Sequence, residues 1–319
     1  VHEKGAPAVR TRHRFFFLLA TVTLCFGVAF TTGVPSSGGA THDAERIDAV
    51  GAENQYASVI SQVGGSFVKT ASIMANPNTD PHSFEASPSV GEIVSAAQLV
   101  IQNGVGYDTF MNKIESASPN PKRKVIDVQS LLGLPNDTEN PHLWYNPKTM
   151  PAVANAVAKD LAALDPAHAA YFKTNAANFD RSLKPWLAVI AKVRSFYPNA
   201  AVATTEPVAD YMLEAAGMDI KTPWTLQADI MNGVDPSPEN VTLEEDLFSK
   251  HEVKVFLYNQ QVTDSLTETF LADAKKAGVP VVGVYETMPT PGYSYQSWMV
   301  AEANALLKAL ANKQSTTEL

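Results

Sequence analysis

The sequence predicts an α/β protein with two similar parallel-sheet lobes joined by one long rigid helix. Three observations carry this. Strand-like and helix-like segments alternate from residue 45 to about 130. A long helical stretch fills 165–197. The same alternation then repeats from 201 to the C-terminal region. Alternation of this kind builds a parallel sheet, because each strand needs a crossover helix to reach its neighbour. The boundaries read as a leader (1–40), a first lobe (41–164), a linker helix (165–197) and a second lobe (198–319).

In the first half, RIDAVGAE is a short strand and NQYASVISQVGG a helix ended by Gly64-Gly65. FVKTASIM (67–74) is a strand, and NPNTDPHS a loop stiffened by Pro77 and Pro81. SVGEIVSAA is a helix capped by Ser87 or Ser89, LVIQNG a short apolar strand, YDTFMNKIESA an amphipathic helix and KVIDVQ another strand. PKTMPAVANAVAKDLAALD forms a helix. In 165–197, Tyr171, Asn175, Phe179, Leu183, Leu187 and Ile190 mark one stripe. Pro166 suits the helix start. Pro185 kinks or interrupts the interior unless the element is two helices. In the second half AVATTE, VKVFLYN and VPVVGVY are strands. PVADYMLEAAG, PSPENVTLEEDLFSK, SLTETFLADAKKAG and SWMVAEANALLKAL supply the helices, and ANKQSTTEL reads as a soft tail.

The leader is a different kind of sequence. Lys4, Arg10, Arg12 and Arg14 precede an apolar run at 15–30, and small residues follow. This is the layout of a secretory signal peptide, with cleavage expected near Ala40. An uncleaved anchor is the alternative, since the run is nearly long enough to span a bilayer. Cys25, the only cysteine, lies in the run, so the mature part has no disulfide. Lipidation there would tether the protein, although Leu24 stands where a bacterial lipobox has a small residue. The expected location is the periplasm or the outer face of the cytoplasmic membrane. A formal net charge of −9 leaves no basic stripe for phosphates, which excludes a nucleic-acid partner. An acidic exported protein draws cations instead.

Four residues stand where strand-like runs give way to Pro/Asn-rich loops or helices: His82, His142, Glu206 and Glu286. In an α/β sheet, ligands gather beyond the carboxyl ends of strands. Two imidazoles and two carboxylates suit a borderline divalent cation such as Mn²⁺ or Zn²⁺. Two would come from each half. Bidentate glutamates would raise the coordination number and favour manganese, with zinc second. His168 and His251 read as surface residues near Asp165 and Lys250. Trp144, Tyr145 and Trp298 either screen the site or pack the core, and Asn140 and Asn146 fix the loop around His142.

NQYASVISQVGG, ANPNTDPHSFEASPS, NPHLWYNP, TTEPVADYMLEAAG and VVGVYETMPTPGYSYQSWM resemble the metal-binding (zinc/manganese) solute receptors of bacterial ABC importers, over residues 45–312. The resemblance implies two lobes joined by a rigid helix, one metal ion between them, and a permease with a cytoplasmic ATPase as partner. By position, His82 and His142 match the first two ligands. Glu206 matches a third, which is histidine in many zinc receptors and glutamate in manganese receptors. Glu286 matches a fourth, usually aspartate. The long His/Asp-rich loop of many zinc importers is missing. A monomeric receptor that performs no chemistry is expected. The competing readings are an adhesin or surface metal buffer, a receptor for an organic solute such as a siderophore, and a metallohydrolase. The last lacks an HExxH motif and a GxSxG elbow.

Overall fold

In the computed structural model the first lobe opens with β1 (Ile47–Glu53), whose residues are nearly all buried, as expected of a strand covered on both faces. The structure describes residues 46–76, 84–289 and 291–319. The signal-like leader, Cys25 and His82 lie outside the described residues. Helix α1 (Asn54–Gly64) follows at once, and Gly65 ends it at φ 55°, a left-handed conformation that costs glycine little. Then come β2 (Val68–Met74), α2 (Pro88–Ala96), β3 (Leu99–Gln102), α3 (Thr109–Ala117), β4 (Lys124–Asp127) and the single turn α4 (Val128–Leu131). The strands form one parallel sheet in the order β2-β1-β3-β4. Helix α5 (Thr149–Leu164) packs back onto α1.

The 165–197 segment, expected as one helix, is two: α6 (Ala169–Ser182) and α7 (Lys184–Phe196). Pro185 sits in the first turn of α7. It has no N–H to give the Arg181 carbonyl, so the ladder is interrupted there. Leu183 between them keeps α-helical angles (φ −79°, ψ −12°), so the chain bends and continues. The buried stripe also differs from the expected one. Phe172, Ala176, Phe179, Leu183, Trp186, Ile190 and Val193 face inward, whereas Tyr171 and Leu187 are 39% and 40% exposed. The seven inward residues alternate steps of four and three, which keeps one face continuous across the bend.

The second lobe comprises β5 (Ala201–Thr204), α8 (Asp210–Ala215), β6 (Asp219–Ile220), α9 (Trp224–Met231), α10 (Pro238–Ser249), β7 (Val255–Asn259), α11 (Ser265–Lys276), β8 (Val281–Val284) and α12 (Tyr295–Asn312). Its parallel sheet runs β6-β5-β7-β8, the same order as the first. Two elements escaped the sequence reading, β6 and α9. β6 is only two residues long and α9 begins after Pro223 without a side-chain cap, so neither leaves a clear periodic signal. Side-chain caps are explicit at α10 (Ser237), α11 (Asp264 with Thr267) and α12 (Ser294 with Ser297).

The C-terminal tail is ordered against the sheet. Thr316 bonds across to β8, Gly283 N–H to Thr316 O at 2.8 Å and Thr316 N–H to Val281 O at 2.8 Å. Gly283 is needed there, because a Cβ would collide with the Thr317 carbonyl.

One hydrophobic core runs through both lobes, from Ile47 and Val59 through Trp144, Trp186 and Trp298 to Leu257 and Val284. Side chains also cross between them. Asn54, after β1, donates to Met288 O (2.7 Å) and accepts from Met288 N–H (2.8 Å). Tyr295 on α12 donates to Trp144 O at 2.6 Å, and Gln62 and Gln296 exchange amide bonds at 2.7 and 3.0 Å. A wide hinge motion would break this shared core and these buried bonds together.

Several acids are buried, and burial raises their pKa. Burial pushes Glu244 on α10 up to about 8, against a weaker opposing hydrogen bond from Thr222 (3.2 Å). Its folded pKa lies above the ordinary value of 4.5. The associated stability is therefore complete below the unfolded pKa and is lost as pH rises through about 8. Each pH unit in that window costs about 1.4 kcal/mol per group. Glu244→Gln is expected to flatten the fall of the thermal midpoint between pH 5 and pH 8. Parallel melting curves for the variant and the wild type across that range would show that Glu244 is not the titrating group.

Candidate metal centre

The site is built where the carboxyl ends of the two sheets face each other. Glu286 follows β8, Glu206 follows β5 and Asn259 ends β7. From the first lobe come Tyr107, beyond β3, and His142, on the loop before a single 3-10 turn (Leu143–Tyr145). His142 and Glu286 are fully buried and Glu206 is 2% exposed.

His142 is held in one tautomer. Its Nδ1 lies 2.9 Å from Asn140 Oδ1, which also accepts the His142 backbone N–H at 3.0 Å. A carbonyl oxygen only accepts, so Nδ1 carries a proton, and Nε2 is the ring nitrogen turned to the site. Nε2 is 3.3 Å from Glu286 Oε2. Asn140 is anchored in turn by the second lobe: its Nδ2 donates to Pro207 O (2.8 Å), and Tyr211 donates to its backbone carbonyl (2.9 Å). Asn146 accepts from Lys148 N–H at 3.1 Å and so shapes the loop, as the sequence anticipates.

Glu286 is positioned from several sides. Tyr107 Oη donates to Oε2 at 2.9 Å. Burial first, then the charge of Glu286, pushes the Tyr107 phenol well above its ordinary pKa, so it remains a neutral donor. Gln261 Oε1 accepts the backbone N–H groups of Glu286 (2.6 Å) and Thr287 (2.8 Å). Gln55 reaches over from α1 to the Glu286 carbonyl at 3.2 Å. Asn259 Nδ2 donates to Glu206 Oε1 at 3.1 Å and to Glu286 Oε1 at 2.8 Å. One amide thus joins the two glutamates.

The structure therefore brings together three of the four residues singled out in the sequence; His82 lies outside the described residues. Among the described residues no three His, Cys, Asp or Glu side chains meet closely enough to hold a metal by themselves. Asn259 links Glu206 to the His142–Glu286 pair. His168 and His251 stand apart, as expected. His168 pairs with Asp165 at 2.6 Å and stacks on Phe67, and His251 is exposed.

Around the polar centre stands an aromatic wall. Trp144 meets His142 edge-on at 5.4 Å and Tyr107 at 5.2 Å. Tyr145 Oη donates to Tyr285 O at 2.8 Å. Trp144, Tyr145 and Trp298 are fully buried core residues, and Trp144 also walls the site beside His142. A further acidic pair lies at the end of β1. Burial, and then the Asp108 charge, raises Glu53 well above the carboxylate range. Burial pushes Asp108 up to about 6 against backbone donors from Asn103 and Gly104. Outside, a cleft of about 370 Å³ is lined by Gly106, Tyr107, Glu139, Pro141, Trp224 and Met231. Tyr107 separates it from Glu286.

Tyr107, Asn259 and Gln261 were missed in the sequence. The only available signal was their place: each lies at or beyond the carboxyl end of a strand, as Glu206 and Glu286 do.

Comparison with known proteins agrees with this architecture. Residues 50–309 match the sequence profile of the family described as "ZnuA: Zinc-uptake complex component A periplasmic". The metal ABC transporter substrate-binding lipoprotein FimA of Streptococcus parasanguinis is 22% identical over 277 residues, covering 82% of this chain and 85% of the relative. Among solved structures, the periplasmic zinc-binding protein TroA of Treponema pallidum superposes with a TM-score of 0.71 at 17% identity, over 84% of this chain and 100% of that one. The substrate-binding protein FpvC of Pseudomonas aeruginosa in complex with Mn²⁺ gives 0.69 at 21% identity, over 84% and 99%. With most of its length matched by the family profile, the chain belongs to the periplasmic zinc-uptake component A family of ABC-importer substrate-binding proteins, and it is a binding protein rather than an enzyme.

Proposed function

We propose that the cargo is one divalent transition-metal ion, manganese or zinc, bound by His82, His142, Glu206 and Glu286 and handed to an ABC permease driven by a cytoplasmic ATPase. The observation that carries this reading is the complete burial of the His142–Glu286 pair beside Glu206, with Nε2 of the imidazole turned to the carboxylate. An organic solute has no access to groups buried to this degree, whereas a bare ion needs only the donor atoms. Two neutral imidazoles and two carboxylates exactly cancel a dication, so the loaded site carries no net charge into the interior.

Capture replaces the ion's water by these donors. Asn140 keeps Nε2 of His142 available, and Gln261, Tyr107 and Asn259 hold the carboxylates in place. The shared core and the cross-lobe bonds argue for local rearrangement on loading. The receptor works as an exported monomer. Among the described residues no helix is long and apolar enough to cross a membrane.

The test is native mass spectrometry with elemental analysis on protein purified without added metal, then titrated with Mn²⁺ and Zn²⁺ in competition. One bound ion per chain is expected. No mass shift with either ion removes the reading in favour of an organic solute.

A further inference from the structure

We infer that Glu302 is a positioning residue for the metal centre: its protonation decides whether Tyr145 ties the loop carrying His142 to the strand end carrying Glu286. This inference rests on the reading of those two residues as metal ligands and couples a proton to them.

Tyr145 closes the 3-10 turn that follows His142, and Tyr285 immediately precedes Glu286. The Tyr145 hydroxyl donates to the Tyr285 carbonyl at 2.8 Å and accepts the Tyr285 backbone N–H at 3.4 Å. This pairing joins the two lobes next to the His142–Glu286 contact. Glu302, on α12, is fully buried. Its Oε1 accepts Trp298 Nε1–H at 2.7 Å, and its carboxyl faces the Tyr145 hydroxyl and the Tyr285 backbone N–H. Among the described residues its Oε2 makes no close hydrogen bond.

A phenol has one hydrogen to give, and here two acceptors stand within its reach, the Tyr285 carbonyl and Glu302. Burial pushes the Glu302 carboxyl up to about 8 against the opposing pull of Tyr145, Trp298 and the Tyr285 N–H, so it is neutral at pH 7. The Tyr145 hydrogen then goes to Tyr285, as observed. Ionisation leaves Oε2 as a buried charge without a donor, which is costly. Trp298 is already spent on Oε1, so the Tyr145 hydrogen is the one that answers. Once it turns to Glu302, the Tyr285 carbonyl loses its donor and the tie between the His142 loop and Glu286 is released. The tie is complete below this pKa and is lost as pH rises through about 8.

The titratable groups facing Glu302 are Tyr145, Tyr285 and Tyr295. Burial raises each above the ordinary phenol value, so none is charged while Glu302 titrates. Two acids act on these tyrosines, Glu286 on Tyr145 and Glu318 on Tyr285. Of the elements packed on α12, α1 and β8 carry no charged residue, β7 adds only Tyr258, and the lysines and arginine of α7 are exposed.

The experiment measures Zn²⁺ and Mn²⁺ affinity in chelator-buffered titrations from about pH 6.5 to about pH 9, a window that brackets the Glu302 titration. It compares wild type, Glu302→Gln and Tyr145→Phe, each checked for a cooperative melting transition. Glutamine keeps the neutral shape. Its affinity is expected to match wild type at the low end and to exceed it by about 10-fold at the high end, a coupling of ordinary size. The ratio cancels the titration of the ligands, hydrolysis of the ions, and Glu244 and Asp210, which burial also raises to about 8. Tyr145→Phe has no hydrogen to redirect, so it is expected to bind more weakly throughout and to lack the step; it serves if the glutamine variant does not fold. Coupling is reciprocal, so bound metal is expected to raise the Glu302 pKa by about one unit. The infrared carbonyl stretch of the protonated carboxyl, assigned by its loss in Glu302→Gln, reads this. A wild-type-to-glutamine ratio that is constant across the range, as a purely structural role would give, overturns this inference alone. A wild-type protein that takes up neither ion at any pH overturns the ligand reading with it.

Discussion

His142→Ala is expected to weaken divalent-metal binding by more than about 100-fold, since loss of an outer partner alone costs 10–100-fold. The imidazole contributes a donor atom, and the structure shows why no neighbour replaces it. His142 is fully buried, its Nδ1 proton is committed to Asn140, and the Trp144 ring stands edge-on beside it. The vacated volume is bordered by Asn140 and Glu286, which are already engaged in the site, and by the Trp144 ring, so no second nitrogen donor takes its place. Asn140→Ala is the graded companion. It leaves the ring in place but frees the tautomer, and about 10–100-fold is expected. His82→Ala tests the residue outside the described region in the same assay. Calorimetric or fluorescence titration with Zn²⁺ and Mn²⁺ reads all three. Unchanged affinity in His142→Ala would mean that the ion, if bound, sits elsewhere.

Trp186→Ala should cost about 3–5 kcal/mol of stability, the range for deleting a buried aromatic side chain. Trp186 is fully buried at the start of α7, just after the bend, with its ring edge-on to Tyr295 at 6.1 Å. Among the described residues its Nε1 has no hydrogen-bond partner, so the loss is one of packing. The effect reaches the site by a short route. Tyr295 packs against Trp186 and donates to the carbonyl of Trp144, two residues from His142. Thermal melting is expected to show one transition, lowered by on the order of 10 °C, because the core is continuous between the lobes. Two separate transitions, with only one of them moved, would show that the lobes fold independently.

Much of the fold was legible in the sequence because parallel α/β units write themselves plainly. Strands such as VFLY and VVGV are uninterrupted apolar runs, as fits strands that the structure buries completely. Helices such as α11 announce their start with a capping residue. Elements whose shape depends on distant contacts were not legible. Thr316 and its neighbours have no apolar pattern, and their order comes from bonds to β8. The stripe along 165–197 was misread at Tyr171 and Leu187. Both are large and apolar, yet the face they lie on is turned toward solvent by packing that involves α1, α5 and α12.

The sequence by itself determined the strand–helix order, the pairing of two like halves and the types of donor offered beyond the strand ends. These follow from short-range rules of periodicity, capping and turn chemistry. Tertiary structure alone decided which polar groups surround those donors. Asn140, Asn259, Gln261 and Tyr107 acquire their roles from residues far away in the chain or from the opposing lobe: Asn259 with Glu206, Tyr107 with Glu286, Asn140 with Pro207. A hydrogen-bond acceptor's partner depends on where two separately folded backbones come to rest, and that position is set by the packing of the whole core.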